Sequence, residues 1–237
     1  MQSINLLTHQ WAENKFPMSR YLPETTSTND IAKEEFLSLS IDEALYLTDH
    51  QTQGRGRGKR SWQNMSQGEV LLSTWCFKVK HSVHYILTPL LGLSLYNSLK
   101  RIKKNLPLKL KAPNDIFLND GKLSGLLVEV TSQGDDTFIS IGLGINVFAA
   151  PEIDIMTSHL SEEVTIDTQS WFSFCDEFYR LAKNSIKESQ QEHLSETQCE
   201  QIMEALNQRV YGDDKVLRVH PNCDIETSQG LTSWMNL

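Results

Sequence analysis

The chain has 237 residues, 39% of them hydrophobic and 22% charged, with a formal net charge of -8 and a pI near 5.4. This length and composition suit one substantial core and exclude both wholesale disorder and a membrane span. The acidic balance speaks against broad binding to a nucleic-acid backbone, which needs positive potential over a wide face.

At the N-terminus, MQSINLLTHQWAENK lacks a basic start followed by a continuous apolar run, so no secretory signal is visible and a cytoplasmic location is expected. The four cysteines, Cys76, Cys175, Cys199 and Cys223, are scattered without a C-x-x-C pair, which argues against a zinc site and a disulfide framework. Residues 44–53 (ALYLTDHQTQ) and 69–77 (EVLLSTWCF) are short runs rich in Leu, Val, Thr and aromatics and are predicted to be strands.

Between these strands lies GRGRGKRSW, residues 54–62, which sets Arg55, Arg57, Lys59 and Arg60 among three glycines. A basic run is usually a solvated loop, and an RGG-like or minor-groove arm has the same composition. In an acidic chain, with apolar strands on both sides, the four cations look aimed at one small anion. Gly54, Gly56 and Gly58 let the backbone approach a ligand, and arginines fork onto carboxylate or phosphate oxygens. Trp62 is either a core residue or a platform for a flat heterocycle.

Thr88 and Pro89 are placed to cap and open a helix in which Leu91, Leu95, Leu99 and Ile102 recur on one face, with Lys100, Arg101, Lys103 and Lys104 at its C-terminal end. Residues 115–130 form a predicted β-hairpin whose turn is Asn119, Asp120 and Gly121. Pro113, Asn114 and Asp115 form a turn at its mouth, and Lys122 follows the hairpin turn beside the small residues Ser124 and Gly125, so that cation and carboxylate could share one pocket. Residues 137–147 supply another strand, in which Asn146 either reads a base edge or caps the strand end. This spacing of strands favours α+β over a doubly wound parallel sheet.

Beyond Asp167, Trp171, Phe174, Cys175, Phe178, Leu181 and Ala182 give one apolar helical face. Glu188, Glu192, Glu196, Glu200 and Glu204 fall four apart and are predicted to line one solvated helical face. Residues 207–237 switch to turn residues and short strands, a piece too small to fold alone.

Four motifs stand in order: ETTSTND (24–30), QTQGRGRGKRSW (51–62), KAPNDIFLNDGKLSGLLVEV (111–130) and GLGIN (142–146). Over residues 20–150 the chain thereby resembles the biotin protein ligases, the family also called biotin-[acetyl-CoA-carboxylase] ligase. The resemblance implies an α+β fold of class II synthetase type, with a mixed or antiparallel central sheet and helices packed on one side. It implies a catalytic domain over residues 1–206 and a short SH3-like β module over 207–237. The implied activity is ATP-dependent attachment of biotin, through biotinyl-5'-AMP, to a lysine of the biotin carboxyl carrier domain of acetyl-CoA carboxylase. Mg2+ would arrive with ATP and have no assigned protein ligands. The carrier would be the macromolecular partner of a monomer or homodimer, without nucleic acid or membrane.

By the same resemblance Ser27, Thr28, Asn29, Gln51, Gly54, Arg55, Gly56 and Gly125 surround biotin, with Ser27, Thr28 and Gln51 on its ureido ring. Arg57 and Lys122 face the biotin carboxylate and the α-phosphate, Arg60, Trp62, Asn114 and Asn146 surround the adenylate, and Asp115 stands near the reacting centre. Arg57, Lys122 and Asp115 are the implied catalytic residues, while Glu129 receives no chemistry. The chain departs from the family pattern at Gly58-Lys59, where the order of glycine and variable residue is exchanged, at Ala112, where the family often has Trp, and in its shorter C-terminal module. Too few residues precede Ser27 for a helix-turn-helix domain, so a ligase without a repressor arm is expected. A lipoate or octanoyl transferase would lack the glycine-arginine loop, and a nucleic-acid-binding regulator conflicts with the acidic balance.

Overall fold

The structure is a computed structural model that describes residues 2–58, 61–62, 67–208 and 215–237; Lys59 and Arg60 therefore lie outside the described residues. Seven strands, β1 (Met18–Thr25), β2 (Glu43–Gln51), β3 (Val70–Val79), β4 (Leu108–Lys111), β5 (Asp115–Leu118), β6 (Gly121–Gln133) and β7 (Asp136–Asn146), form a sheet in the order β1-β2-β3-β7-β6-β5-β4. β1 pairs parallel with β2, whereas β2–β3, β3–β7, β6–β7 and β4–β5 are antiparallel, which makes the sheet mixed, as expected. A second sheet, antiparallel and three-stranded, joins β8 (Val216–Val219), β9 (Asp224–Thr227) and β10 (Gly230–Ser233).

The chain divides into two compact units, one made of the residues up to Ser82 with Leu123–Thr168, the other of Val83–Lys122 with Gln169–Leu237. In the first, α1 (Ile4–Ala12) starts at Ser3, whose hydroxyl accepts from the amides of Asn5 and Leu6, both at 3.1 Å. Its Trp11, with Phe16, packs on Trp75 of β3 at ring separations of 5.7 and 5.6 Å. The next residue of β3, Cys76, points to the opposite face, where Ala32 and Phe36 of α2 (Thr28–Phe36) join Tyr46 and Phe138 in a second apolar cluster. The two helices of this unit thus lie on opposite faces of the sheet, not on one side as the sequence led us to expect. Burial on both faces also explains why residues Val70 to Phe77 of β3 are all buried instead of alternately buried and exposed.

In the second unit, α3 is Leu87–Leu99 with Ile86 at its N-cap, so Thr88 is a helical residue and not the cap. Ile86 and Leu87 are buried, at 0% and 2% exposure, and their packing draws the helix start upstream. Pro89 still falls in the first turn, where its missing N–H has no intrahelical partner to lose. α4 (Thr168–Glu188) buries Trp171, Phe174, Cys175, Phe178 and Ala182, the stripe seen in the sequence, and the Trp171 and Phe174 rings sit 4.9 Å apart.

The glutamate series does not line one helix. Glu188 ends α4, Glu192 lies in the connection, and Glu196, Glu200 and Glu204 belong to α5 (Glu196–Leu206). A capping box between Ser195 and Gln198 restarts the helix there. All five glutamates are exposed, so the solvated surface holds although the continuous face does not. The four cysteines are free and buried, and among the described residues no helix is long and apolar enough to cross a membrane.

Candidate functional site

In the first unit, the end of β1 and the start of α2 place Ser27, Thr28 and Asn29 in a buried row, with exposures of 1%, 4% and 4%. Gln51, at the end of β2, accepts from the Thr28 backbone amide at 2.8 Å and lies 3.3 Å from the Thr28 hydroxyl. The Thr74 hydroxyl, from β3, lies 2.6 Å from Asn29 Oδ1 and 2.8 Å from Thr28 Oγ1. Asn29 passes the network on by donating to Glu129 Oε2 at 3.0 Å. Buried polar groups of this kind hold their geometry because each is satisfied by the next.

The glycine-arginine segment leaves β2 from this row. Its neck is closed by the Trp62 amide donating to the Gly54 carbonyl at 2.9 Å and by an isolated antiparallel bridge between Arg55 and Ser61. Gly54 has no room for a side chain, since an added Cβ would stand 2.7 Å from the Trp62 carbonyl oxygen. Gly58 has φ of +70°, the left-handed region that glycine enters without strain. Arg55 does not reach into solvent alone: its guanidinium donates to Asp30 at 2.6 Å and to Glu129 at 2.7 Å. The hydrogen bond to Asp30 is the foremost cause raising the Arg55 pKa above its ordinary value; desolvation opposes it and the Glu129 charge adds to it. Gly56 and Arg57 follow, both half-buried.

Trp62 lies against β7, where a Cβ on Gly144 would come 2.5 Å from the indole ring. Gly142, two residues earlier and on the same face, is kept bare by the Asn29 amide. The glycines of GLGIN are therefore there to admit Trp62 and Asn29. Asn146, 2% exposed, uses its amide to donate to the Ser158 carbonyl at 3.1 Å, which ties the strand end to the following loop. Gly125 sits on β6 opposite Gly144.

In the second unit, β4 and β5 form a hairpin joined by the turn that holds Pro113 and Asn114. Pro113 is buried, and Asn114 and Asp115 are half-buried. Lys122 meets Asp115 at 2.8 Å, with side-chain exposures of 22% and 19%, so the cation and carboxylate singled out in the sequence do share one place. Asn119, in the intervening turn, takes φ of +53°, as the hairpin reading requires. Among the described residues no group of three or more His, Cys, Asp or Glu is placed to hold a metal ion.

Three participants escaped the sequence reading. Asp30 and Thr74 are single polar residues of ordinary surroundings, whose roles arise only when α2 lies on β3. Glu129 carried a signal: it is the one charged residue in LLVEV, where a strand otherwise favours apolar side chains.

A model of the biotin/lipoate A/B protein ligase family matches residues 21–146, more than half of the chain. A biotin--[acetyl-CoA-carboxylase] ligase of Mycobacterium tuberculosis is 34% identical over 134 residues, which is 54% of this chain and 49% of that protein. The bifunctional ligase/repressor BirA of Escherichia coli is 29% identical over 167 residues, 70% of this chain and 48% of that one. The chain thus spans about half the length of the curated relatives it matches. Among solved structures, the biotin protein ligase from Aquifex aeolicus in complex with biotin and ATP shares the fold with a TM-score of 0.63 at 23% identity, covering 92% of this chain and 95% of that one.

Proposed function

Because the chain belongs to the biotin/lipoate A/B protein ligase family, we propose that it is a biotin protein ligase, which uses ATP to attach biotin to a lysine of a carrier domain. The observation that carries this reading is the glycine-arginine loop, closed at its neck by Gly54 and Trp62 and rooted in the buried row Ser27, Thr28, Asn29 and Gln51. A ureido ring offers one carbonyl and two N–H groups, and a row of hydroxyls and amides can match both kinds. A glycine-rich backbone with Arg57 suits the carboxylate and phosphate at the other end. By the family resemblance this reading assigns Trp62 and Asn146 of the first unit to the adenylate, and it assigns Asn114 and Arg60 to the same ligand.

Making an amide from a carboxylate at neutral pH requires a better leaving group than oxide. The biotin carboxylate attacks the α-phosphorus of ATP, pyrophosphate leaves with its Mg2+, and biotinyl-5'-AMP results. The carrier lysine then attacks the acyl carbonyl, AMP leaves, and the amine proton passes to a base, for which Asp115 is the candidate. Arg57 and Lys122 act as fixed positive charge facing the developing negative charge, and one such donor is typically worth about 3 to 4 kcal/mol.

Acetyl-CoA carboxylase enters as the target through the name of the Mycobacterium tuberculosis relative. We place the catalytic domain over residues 1–206 and the accessory module over 207–237, and the formal charge of -8 supports a ligase that does not bind DNA. The test incubates the protein with ATP, biotin and a biotin carboxyl carrier domain and probes the carrier with streptavidin, with lipoate offered in a parallel reaction. Biotin transfer is the expected result. Transfer of lipoate alone, or salt-sensitive DNA retention without transfer to the carrier, would overturn the assignment.

A further inference from the structure

Trp234 is wholly buried at 0% exposure, and its indole Nε1 donates to the Pro113 carbonyl at 2.9 Å across 121 residues of sequence. Both residues belong to the second unit. From this bond we infer that Trp234 is a positioning residue for the Pro113–Asp115 turn, so that the small C-terminal sheet sets the geometry with which that turn meets the nucleotide. The inference rests on the ligase reading above.

The argument begins with the peptide group. A trans peptide is planar, with its N–H directed opposite its carbonyl oxygen. Fixing the Pro113 oxygen therefore fixes the N–H of Asn114, and with it the direction in which Asn114 leaves the turn. Asp115 follows immediately and heads β5, where it pairs with Lys122. One hydrogen bond thus lies directly upstream of two residues assigned to the reaction.

Trp234 is itself held firmly enough to serve as a reference. It follows β10, which pairs with β9 from Gly230 to Ser233. Its backbone amide donates to the Cys223 carbonyl at 3.3 Å, and the Cys223 amide donates to His220 at 2.8 Å, closing the turn between β8 and β9. That turn is fastened to the helical layer by the Leu194 amide, which donates to the Pro221 carbonyl at 2.9 Å. The start of β8 is fastened as well, because the Asn207 side chain exchanges two hydrogen bonds with the Val216 backbone, at 2.8 and 2.9 Å. Bonds therefore run from α5 through the three-stranded sheet to the Pro113 carbonyl. An indole donor buried this completely needs an acceptor, and the acceptor it has is the turn.

The test removes the donor without changing the shape: benzothienylalanine, in which sulfur replaces the indole N–H, is introduced at position 234, alongside Trp234→Phe and an exposed control on the same sheet, Leu231→Ala. Two quantities are measured in the full-length chain. Amide hydrogen exchange at Asn114 should accelerate in the benzothienylalanine protein. The KM for ATP in pyrophosphate release should rise about three- to tenfold, the loss of one hydrogen bond, while the KM for biotin stays within about twofold and Leu231→Ala changes neither. Unchanged exchange at Asn114, or equal rises in both KM values, would overturn the positioning role. Absence of biotin-dependent turnover in the unmodified protein would instead overturn the ligase reading, and the exchange result would still decide whether Trp234 orders the turn.

Discussion

Asn29 and Glu129 stand a hundred residues apart and meet at 3.0 Å, with the Asn29 amide donating to the carboxylate whose other oxygen holds Arg55 at 2.7 Å. Glu129 thereby joins the buried polar row to the root of the glycine-arginine loop. Replacing it with Gln keeps an acceptor for Asn29 but removes the charge facing Arg55. Because the Arg55 and Glu129 side chains are 39% and 30% exposed, the ion pair is screened, and a stability loss of no more than about 1 kcal/mol is expected. The larger effect should fall on binding: Glu129→Gln should weaken biotin about three- to tenfold by calorimetry, as Arg55 is left to Asp30 alone. Biotin affinity equal to wild type would mean that the network only supports the fold.

The two glycines of β7 separate the two ends of the proposed site. A methyl group at Gly142 would strike the Asn29 amide, whereas one at Gly144 would strike the Trp62 ring. Overpacking of this kind costs about 1 to 3 kcal/mol. Gly142→Ala should raise the KM for biotin more than that for ATP, and Gly144→Ala the reverse, each by about tenfold. Steady-state kinetics with each substrate varied in turn would check this, and an identical profile for both variants would remove Asn29 and Trp62 from separate ends.

The N-terminal helix is fastened by Asp49, which accepts from Tyr21 at 2.5 Å and from Asn5 at 3.1 Å and also bonds Ser3. Desolvation first, then the hydrogen bond and charge of Asp49, push the Tyr21 phenol up from 10.0 to about 12. The unfolded chain therefore loses this proton before the folded one does as pH rises. The stabilisation is fully present below pH 10 and is lost as pH climbs through about 12. The stability difference between wild type and Tyr21→Phe should accordingly shrink over that window, as followed by urea denaturation at successive pH values. A difference that stays constant from pH 9 to 12 would show that Asp49 does not hold the phenol.

Most strands and the apolar face of α4 were legible in the sequence because periodicity reports burial directly. The hairpin was legible because Asn119, with its φ of +53°, answers to the backbone of a tight turn, and the pairing of Lys122 with Asp115 followed from it. What escaped depended on contacts that no local pattern encodes. The start of α3 moved because Ile86 and Leu87 found burial. The glutamate series broke because Ser195 and Gln198 cap a new helix. Helices lie on both faces of the first unit because Trp75 and Cys76, neighbours in β3, are both buried. Asp30, Thr74 and Trp234 act on partners far away in sequence, and nothing beside them announces it.

The ion pair of Lys122 with Asp115 also bears on the chemistry directly. Both side chains are more than three-quarters buried, so solvent screens the ammonium little, and the Asp115 carboxylate at 2.8 Å holds it at one place while opposing part of its field. In the proposed first step, negative charge develops at the α-phosphate, and a cation already in position needs no reorganisation to answer it. Lys122→Ala should therefore leave the hairpin folded, since the turn residues are untouched, and lower biotin-dependent pyrophosphate release by about a hundredfold or more. Arg57 remains, so activity should not vanish. Lys122→Arg should recover only part of the loss, because a planar fork does not replace a compact ammonium against Asp115. Transfer of the biotinyl group from preformed biotinyl-5'-AMP to the carrier lysine, with release of AMP, measured separately, should suffer less than adenylation. Wild-type pyrophosphate release in Lys122→Ala would make the ion pair a structural feature of the hairpin alone.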